Sequence, residues 1–212
     1  MALAYTVLIV ALTTRDRILF TAKALFANKG YEHASTSAIA REAGTSESQL
    51  TKYFGGKQGL LEAIFIQGWQ GITDEARAAA QGLRTPLEKL AVISATAISA
   101  LERDQQLKLL FLLEGRRIRR EGQMVALTEG YLGFIKLIDG VMYELHAREM
   151  LRPGLNPQAV RTALVGMMEA LLRDKYLGER LGFPADYDLA QMPLLLNFAL
   201  GSFLSPAVFA AT

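Results

Sequence analysis

Three short helical segments between residues 14 and 57 constrain this chain more than any other feature. The first predicted helix covers about residues 15–28, the second about residues 37–43, and the third begins at Ser46. Only Gly44-Thr45-Ser46 separates the second segment from the third. Two helices joined by a three- or four-residue turn that contains glycine form a helix-turn-helix, a motif whose second helix can enter a DNA major groove. The pattern therefore predicts an N-terminal domain of three helices.

The ends and faces of these helices are signalled by individual residues. Thr13 is suited to cap the first helix and Gly30 to end it. The buried stripe expected on the first helix is Ile18, Ala22, Leu25 and Phe26. The second helix is expected to begin after Thr36, and Ser46 to Gln49 has the S-x-x-Q form of a capping box. On the third helix the spacing predicts an inward set of Leu50, Tyr53 and Phe54 and an outward set of Glu47, Ser48, Thr51 and Lys52.

The remaining chain also reads as helices. The apolar pattern predicts them at about residues 57–80, 86–103, 105–114, 123–150 and 157–178, with a last helix that starts near Pro193. Thr85-Pro86 and Asn156-Pro157 give clear starts, each with a capping residue followed by proline. Because no segment alternates with period two, we expect an all-α fold. The expected organisation is an N-terminal extension at residues 1–13, a helix-turn-helix domain at 14–57 and a helical domain at 58–212.

The composition argues against catalysis and metal binding. There is no cysteine, and His33 and His146 have no Glu or His partner at helical metal-ligand spacing. The glycines of residues 55–59 do not form a P-loop, since the required first glycine falls on Thr51 and no strand precedes it. We therefore expect no metal, no cofactor and no enzyme activity. An all-α enzyme is disfavoured because no acid/base constellation is visible.

Charge and hydropathy are unevenly distributed. Residues 14–57 hold seven basic and four acidic side chains, against a net charge of +2 for the whole chain. A basic module of this kind fits phosphate contact. Residues 1–12 and 189–212 carry no charge, but the first segment is too short to span a bilayer and prolines interrupt the second. We expect an N-terminal extension and a subunit interface there rather than a membrane span, and a cytoplasmic protein.

Three segments of this region are similar to those of a known family: ALFANKGYEHAST, SAIAREAGTS and LTKYFGGKQGLL. Residues 15–69 resemble the DNA-binding region of the tetracycline-repressor (TetR) family of bacterial transcriptional regulators. The resemblance implies a ligand-responsive regulator, most often a repressor, in which an all-α domain binds a small molecule. It also implies a homodimer formed by the last two helices and a pseudo-palindromic DNA operator. The alternative is a helical small-molecule-binding or scaffold protein without operator binding.

The resemblance also assigns contacts to particular residues. Thr36, Tyr53 and Lys57 match positions where the family contacts DNA phosphates. The alternatives are a simple N-cap for Thr36, a core-edge tyrosine for Tyr53 and a solvated side chain for Lys57. Candidates for contacts with bases or adjacent phosphates are Ser46, Ser48, Gln49, Thr51 and Lys52.

Two of these candidates carry a qualification. Gln49 has an equal claim as the capping-box glutamine. Thr51 stands where the family often has tyrosine, and its shorter side chain favours contact with a thymine methyl group. Operator sequences of the family therefore do not transfer to this chain.

Two further groups are open to more than one interpretation. The arginine-rich residues 116–120 fit either a patch for nucleic acid or an anionic ligand, or a solvated turn between helices, and the flanking Glu114 and Glu121 favour the turn. Large side chains of the helical domain are usually core, but some can line a pocket. For a small apolar effector, the expected wall residues are Trp69, Phe111, Tyr131 and Met167.

Overall fold

The computed structural model describes residues 13–114 and 128–210, and all its regular elements are helical. A lone antiparallel bridge joins Leu151 to Leu204. The predicted all-α class is confirmed, and most predicted helix ends fall within three residues of the observed ones. The N-terminal segment 1–12, the arginine-rich residues 116–120 and the helix start predicted near residue 123 lie outside the described residues. The α-helices are α1 Thr14–Lys29, α2 Thr36–Glu42, α3 Glu47–Phe54, α4 Lys57–Ala80, α5 Pro86–Arg103, α6 Gln105–Glu114, α7 Glu129–Ala147, α8 Pro157–Leu181, α9 Met192–Phe203 and α10 Ala207–Ala210.

Side-chain caps fix several of these helix starts. The hydroxyl of Thr13 accepts a hydrogen bond from the backbone N–H of Asp16, as expected. Thr85 and Glu88 form a reciprocal capping box, in which each side chain bonds the backbone N–H of the other residue. The expected cap of α2 is wrong by one residue. Ser35, rather than Thr36, accepts from the N–H of Ala38, which leaves the Thr36 side chain available for another partner.

The chain divides into two compact units. The first contains Met1–Gly71 and Ala100–Leu132, and the second contains Ile72–Ser99 and Gly133–Thr212. In the first unit α1 packs against α2, α3 and α6. The core of this unit contains the buried stripe predicted for α1, which is Ile18, Ala22, Leu25 and Phe26. The helices α2, α3 and α4 each add a fully buried residue, namely Ile39, Leu50 and Leu60. Residues 14–57, the expected DNA-binding domain, lie in this unit.

The second unit has its own apolar core, which α5, α7 and α8 supply. Its most deeply buried side chains include Ile93, Phe134, Met142 and Leu145. A half-buried ion pair between Arg161 of α8 and Asp139 of α7, at 2.9 Å, lies at its edge. Among the described residues, none of the helices is both long and apolar enough to cross a membrane.

Candidate functional site

Helices α2 and α3 form a helix-turn-helix held by backbone contacts. The N–H of Thr45 donates to the carbonyl of Ala40 at 2.9 Å, and Gly44 adopts a positive φ of 67° in the turn. Glycine is favoured there because side chains disfavour this conformation. The Nε of Arg17 on α1 donates to the carbonyl of Ala43 at 3.2 Å. The turn therefore has a fixed shape, supported by α1.

One side chain anchors α3, and the opposite face of the helix is open. Leu50 is fully buried, and Phe54 is half-buried with the guanidinium of Arg15 lying 5.3 Å from its ring centroid. All the residues expected to face outward are exposed, as are the other polar candidates at the start of the helix: Ser46, Glu47, Ser48, Gln49, Thr51 and Lys52. This row of polar side chains is the face that α3 offers to a partner.

The inward position expected for Tyr53 is wrong. Its side chain is 46% exposed, and its ring lies beside that of Phe54, with centroids 6.1 Å apart. Leu50 is the one fully buried residue of this eight-residue helix, so the buried stripe is too narrow to include Tyr53. The exposed phenol lies beside the buried stripe, at the C-terminal end of α3.

Ser46 caps α3, but the capping box expected with Gln49 is only half formed. The Ser46 hydroxyl accepts from the backbone N–H of Gln49 at 3.2 Å and lies 2.9 Å from the Ser48 hydroxyl. Within the described residues, the Gln49 side chain makes no hydrogen bond back to Ser46. Its amide group is therefore available to an external partner.

The Thr36 side chain has a partner on the next helix. Its hydroxyl donates a hydrogen bond to a carboxylate oxygen of Glu47, the first residue of α3. The outward set predicted for α3 includes Glu47, but the predicted contact residues do not. The bond joins the N-terminal ends of α2 and α3, and it uses the one proton that the Thr36 hydroxyl can donate.

Lys57 has two partners within the same unit. Its Nζ donates to the carbonyl of Glu32 at 3.1 Å and lies 4.4 Å from the ring centroid of Tyr31. The Tyr31 ring in turn packs on Phe26, at 5.1 Å between centroids. An ammonium group has three donor hydrogens, so Lys57 can bond Glu32 and still contact an anion.

A close backbone approach sets the start of α4 against the end of α3. A Cβ atom at Gly59 would lie 1.7 Å from the carbonyl oxygen of Phe54, which is far inside van der Waals contact. Only glycine therefore fits at this position. Since Gly59 lies two residues after Lys57, the same approach fixes Lys57 relative to the polar face of α3.

A second candidate site is an apolar cavity of about 500 Å³ within the second unit. Its walls come from α5, α7, α8, α9 and α10, and they include Ile93, Phe134 and Met168. The polar side chains in the wall belong to Glu88, Ser94 and Asn197, and the described lining contains no lysine or arginine. A volume of this size is within the usual range for small-molecule sites.

The residues expected to line an effector site lie elsewhere. Trp69 stacks on Phe111 with centroids 4.4 Å apart and 7° between the planes, and Tyr131 meets Trp69 edge-on at 5.1 Å. These three form an aromatic cluster in the first unit, whereas Met167 belongs to the second. None of the four lines the cavity. Among the described residues, no group of His, Asp or Glu side chains is arranged to hold a metal ion.

Comparison with known proteins bears on both sites. Residues 18–64 match the model of a family described as bacterial regulatory proteins, tetR family. The fatty acid metabolism regulator protein of Bacillus subtilis (strain 168) is 24% identical over 153 residues, which are 72% of this chain and 78% of the relative. The transcriptional regulator UidR of Escherichia coli (strain K12) is 36% identical over 75 residues, 35% of each chain.

A solved structure extends the likeness of fold beyond the helix-turn-helix. The transcriptional regulator FadR from Bacillus subtilis, solved in complex with stearoyl-CoA, is similar with a TM-score of 0.72 and 23% identity. The match covers 87% of this chain and 95% of that one. The resemblance expected from the motifs is thus confirmed. The chain is a DNA-binding transcriptional regulator, and its residues 18–64 form the DNA-binding domain of the tetR family of bacterial regulatory proteins.

Proposed function

We propose that this regulator is a homodimeric repressor that binds a pseudo-palindromic operator and leaves it when a small apolar molecule occupies the cavity of the second unit. The observation that carries the proposal is the division of α3 into two faces. Leu50 is fully buried, while the polar side chains around it are exposed, including Gln49, Thr51 and Lys52. A recognition helix needs this combination, because base edges are read by side chains that a rigid domain holds in the groove.

Tyr53 and Lys57 are proposed to contact phosphates. Both lie outside the core, at the end of α3 and the start of α4, and Lys57 is oriented by its bond to Glu32. Phosphate contacts fix the position of a protein on DNA without reading its sequence. Lys57→Ala and Tyr53→Phe are therefore expected to weaken binding to all sequences by similar factors, whereas Gln49 or Thr51 variants change the preference at particular base pairs.

Footprinting on the DNA that flanks the regulator's own gene tests operator binding directly. We expect one protected pseudo-palindrome, with half-sites about 10 base pairs apart or a multiple of that distance. The affinity should fall steeply as salt is raised, because phosphate neutralisation releases counterions. If no sequence is protected and binding is indifferent to salt, the chain is instead a helical ligand-binding or scaffold protein.

The proposed dimer rests on the exposed apolar face of α9. Leu194, Leu195 and Phe198 are 56%, 42% and 70% exposed, although all three are large and apolar. An apolar patch of this kind commonly marks an interface. Helices α8 and α9 of two copies can form a four-helix bundle around a two-fold axis. On α8, Leu164 and Met168 line the cavity, so other residues of this helix would meet the second copy.

Sedimentation at micromolar concentration tests the dimer. The wild-type protein is expected to form a single dimeric species, and Leu195→Glu to dissociate it by placing a charge in the apolar contact. Ala79→Glu is a useful comparison, since it adds the same charge at an exposed position of α4, outside the two helices of the proposed bundle. A folded wild-type monomer at this concentration would contradict the proposal.

The effector is proposed to be uncharged where it enters the cavity. The lining holds no basic side chain to pair with a phosphate or carboxylate, and burying an unpaired charge is costly. The relative solved with stearoyl-CoA suggests long-chain molecules as first probes. Dodecan-1-ol, dodecanoate and stearoyl-CoA can be titrated against the operator complex, and dodecan-1-ol is expected to release the DNA at the lowest concentration.

A pair of variants on α5 tests whether the cavity is the effector site. Ser94→Phe fills the cavity and is expected to abolish release, whereas Ser99→Phe adds the same bulk to the same helix at an exposed position outside the lining. A molecule that shifts the operator equilibrium must itself bind more weakly to the DNA-bound protein, because linkage is reciprocal. An effector that releases DNA equally from both variants does not act through this cavity.

A further inference from the structure

We propose that Glu47 determines operator specificity by accepting a hydrogen bond from a cytosine amino group in the major groove, with Thr36 as its positioning residue. The inference rests on the proposed operator binding and names one base that the bound protein reads. It starts from the hydrogen bond between the Thr36 hydroxyl and the Glu47 carboxylate. That bond changes the expected roles of both residues.

Thr36 is poorly suited to the phosphate contact expected from its position. A phosphate oxygen needs a donor, and the Thr36 hydroxyl has one proton, which the Glu47 carboxylate accepts. The capping role is also taken, since Ser35 caps α2. Holding the carboxylate of Glu47 is the role that remains for this hydroxyl.

Glu47 is the first residue of α3, at the end of the helix that would enter the DNA major groove. It is exposed, and it is followed along the same face by Ser48, Thr51 and Lys52. In helix-turn-helix proteins the N-terminal residues of the recognition helix contact the base edges. One carboxylate oxygen accepts from Thr36, and among the described residues the other has no hydrogen-bond partner. Glu47 therefore offers the groove a fixed acceptor.

The chemistry of the base edges selects cytosine. In the major groove, cytosine presents an N4 amino donor and no acceptor of its own. Guanine presents two acceptors and thymine one, which repel a carboxylate, and adenine places its N7 acceptor beside the N6 donor. A carboxylate held at one oxygen by Thr36 therefore gains a bond only where the facing base is cytosine.

The charge of Glu47 makes this preference sharper. A carboxylate near the phosphate backbone opposes binding, so it lowers the affinity for every sequence that offers it no donor. Specificity is a difference between affinities, and a repulsive group that one sequence satisfies increases that difference. The rest of the α3 face, including Lys52, supplies attraction without this discrimination.

The test measures binding to a set of operators in which each half-site base pair is replaced in turn. For the wild-type protein we expect one position at which loss of a C·G pair lowers the affinity about 5- to 150-fold, the range typical of a single mismatch. Glu47→Ala should remove this preference. Glu47→Gln should move it from cytosine to adenine, because a glutamine amide pairs with adenine N6 and N7.

Variants of two other residues separate this role from bulk charge and from folding. Glu42→Gln removes the same charge from an exposed position of the same domain and should leave the base preference intact. Thr36→Val should weaken the preference and Thr36→Ser should restore it, since only serine keeps the hydroxyl.

The outcomes are distinguishable. If Glu47→Ala and Glu47→Gln keep the wild-type preference at every base pair while binding all sequences more tightly, Glu47 is only a surface charge and the inference is overturned. If the wild-type protein itself shows no base preference at any position, operator binding fails instead. A shift towards adenine that is confined to Glu47→Gln supports the inference.

Discussion

The ion pair between Lys23 of α1 and Asp104, the residue before α6, gives a prediction whose size follows from the structure. The Nζ of Lys23 lies 2.6 Å from one carboxylate oxygen of Asp104, and the two side chains are 22% and 34% exposed. The other oxygen accepts from the backbone N–H of Leu107 at 3.0 Å, so Asp104 also caps α6. One carboxylate therefore makes two separable interactions, one within α6 and one with α1.

The expected energies follow from these two roles. Exposed ion pairs contribute roughly 0.2–1 kcal/mol, and partial burial places this pair near the upper end, at about 1 kcal/mol. Loss of a helix cap costs about 1 kcal/mol more. Lys23→Met keeps the aliphatic stem and loses only the charge, and Asp104→Asn keeps a good capping group. Each should lower the free energy of unfolding by about 1 kcal/mol, and Asp104→Ala by about 2 kcal/mol.

Urea unfolding of Lys23→Met, Asp104→Asn and the double variant that combines them measures the energy of the ion pair directly. The measurements are made at one protein concentration, because dimerisation would otherwise change the apparent stability. We expect the double variant to be no less stable than either single one, which corresponds to a coupling energy of about 1 kcal/mol that decreases in 1 M NaCl. Additive losses would refute the ion pair as a stabilising contact. Equal losses for Asp104→Ala and Asp104→Asn would refute the capping role.

Three further predictions concern close packing and titration. Gly59→Ala should abolish operator binding, measured by gel shift, because the added methyl group forces α3 and α4 apart. Gly71 lies on the same helix in open space, so Gly71→Ala should raise the stability measured by thermal unfolding, by up to about 1 kcal/mol. The hydrogen bond from the Thr85 side chain lowers the pKa of Glu88. The capping box therefore stabilises the protein above the ordinary glutamate pKa, and this contribution is lost as the pH falls through the lowered pKa. In Thr85→Ala the free energy of unfolding should fall less steeply as the pH is lowered through this range. Burial raises the pKa of Tyr187, and the charge of Asp174 raises it further. The stability that Tyr187 contributes is therefore present below the ordinary tyrosine pKa and is lost as the pH rises through the raised pKa. Tyr187→Phe should remove this alkaline loss of stability, together with the 2.6 Å hydrogen bond to the carbonyl of Leu171.

The helices could be predicted because their signals are local. The start of α5 follows from the capping residue, the proline and the glutamate that lie within four consecutive positions, and the structure forms the box that they indicate. The start of α2 differs by one residue from the prediction because Ser35 and Thr36 are both competent caps, and Ser35 is the one that bonds the N–H of Ala38. The partner of Thr36, Glu47, comes from the next helix, and no local signal in the sequence indicates that contact.

The sites could be predicted only in part. The outward face of α3 follows from helical periodicity. The same periodicity predicts an inward Tyr53, which is exposed, because the width of the buried stripe depends on the neighbouring helices. The cavity brings together residues from α5, α7, α8, α9 and α10 that are separated by more than a hundred positions in the chain. Large apolar side chains indicate that such a space can exist. They do not indicate which of them will face it.

The aromatic cluster of the first unit gives this protein an optical reporter of its own. Trp69 is the only tryptophan in the sequence, so the tryptophan fluorescence of the protein comes from one residue. Its indole lies flat against Phe111 and meets the edge of Tyr131, which join the middle of α4 to α6 and to the start of α7. A change in the packing of these three helices alters the surroundings of the indole and therefore its emission spectrum. Rearrangement of this region during DNA or effector binding can thus be followed in real time on the unlabelled wild-type protein.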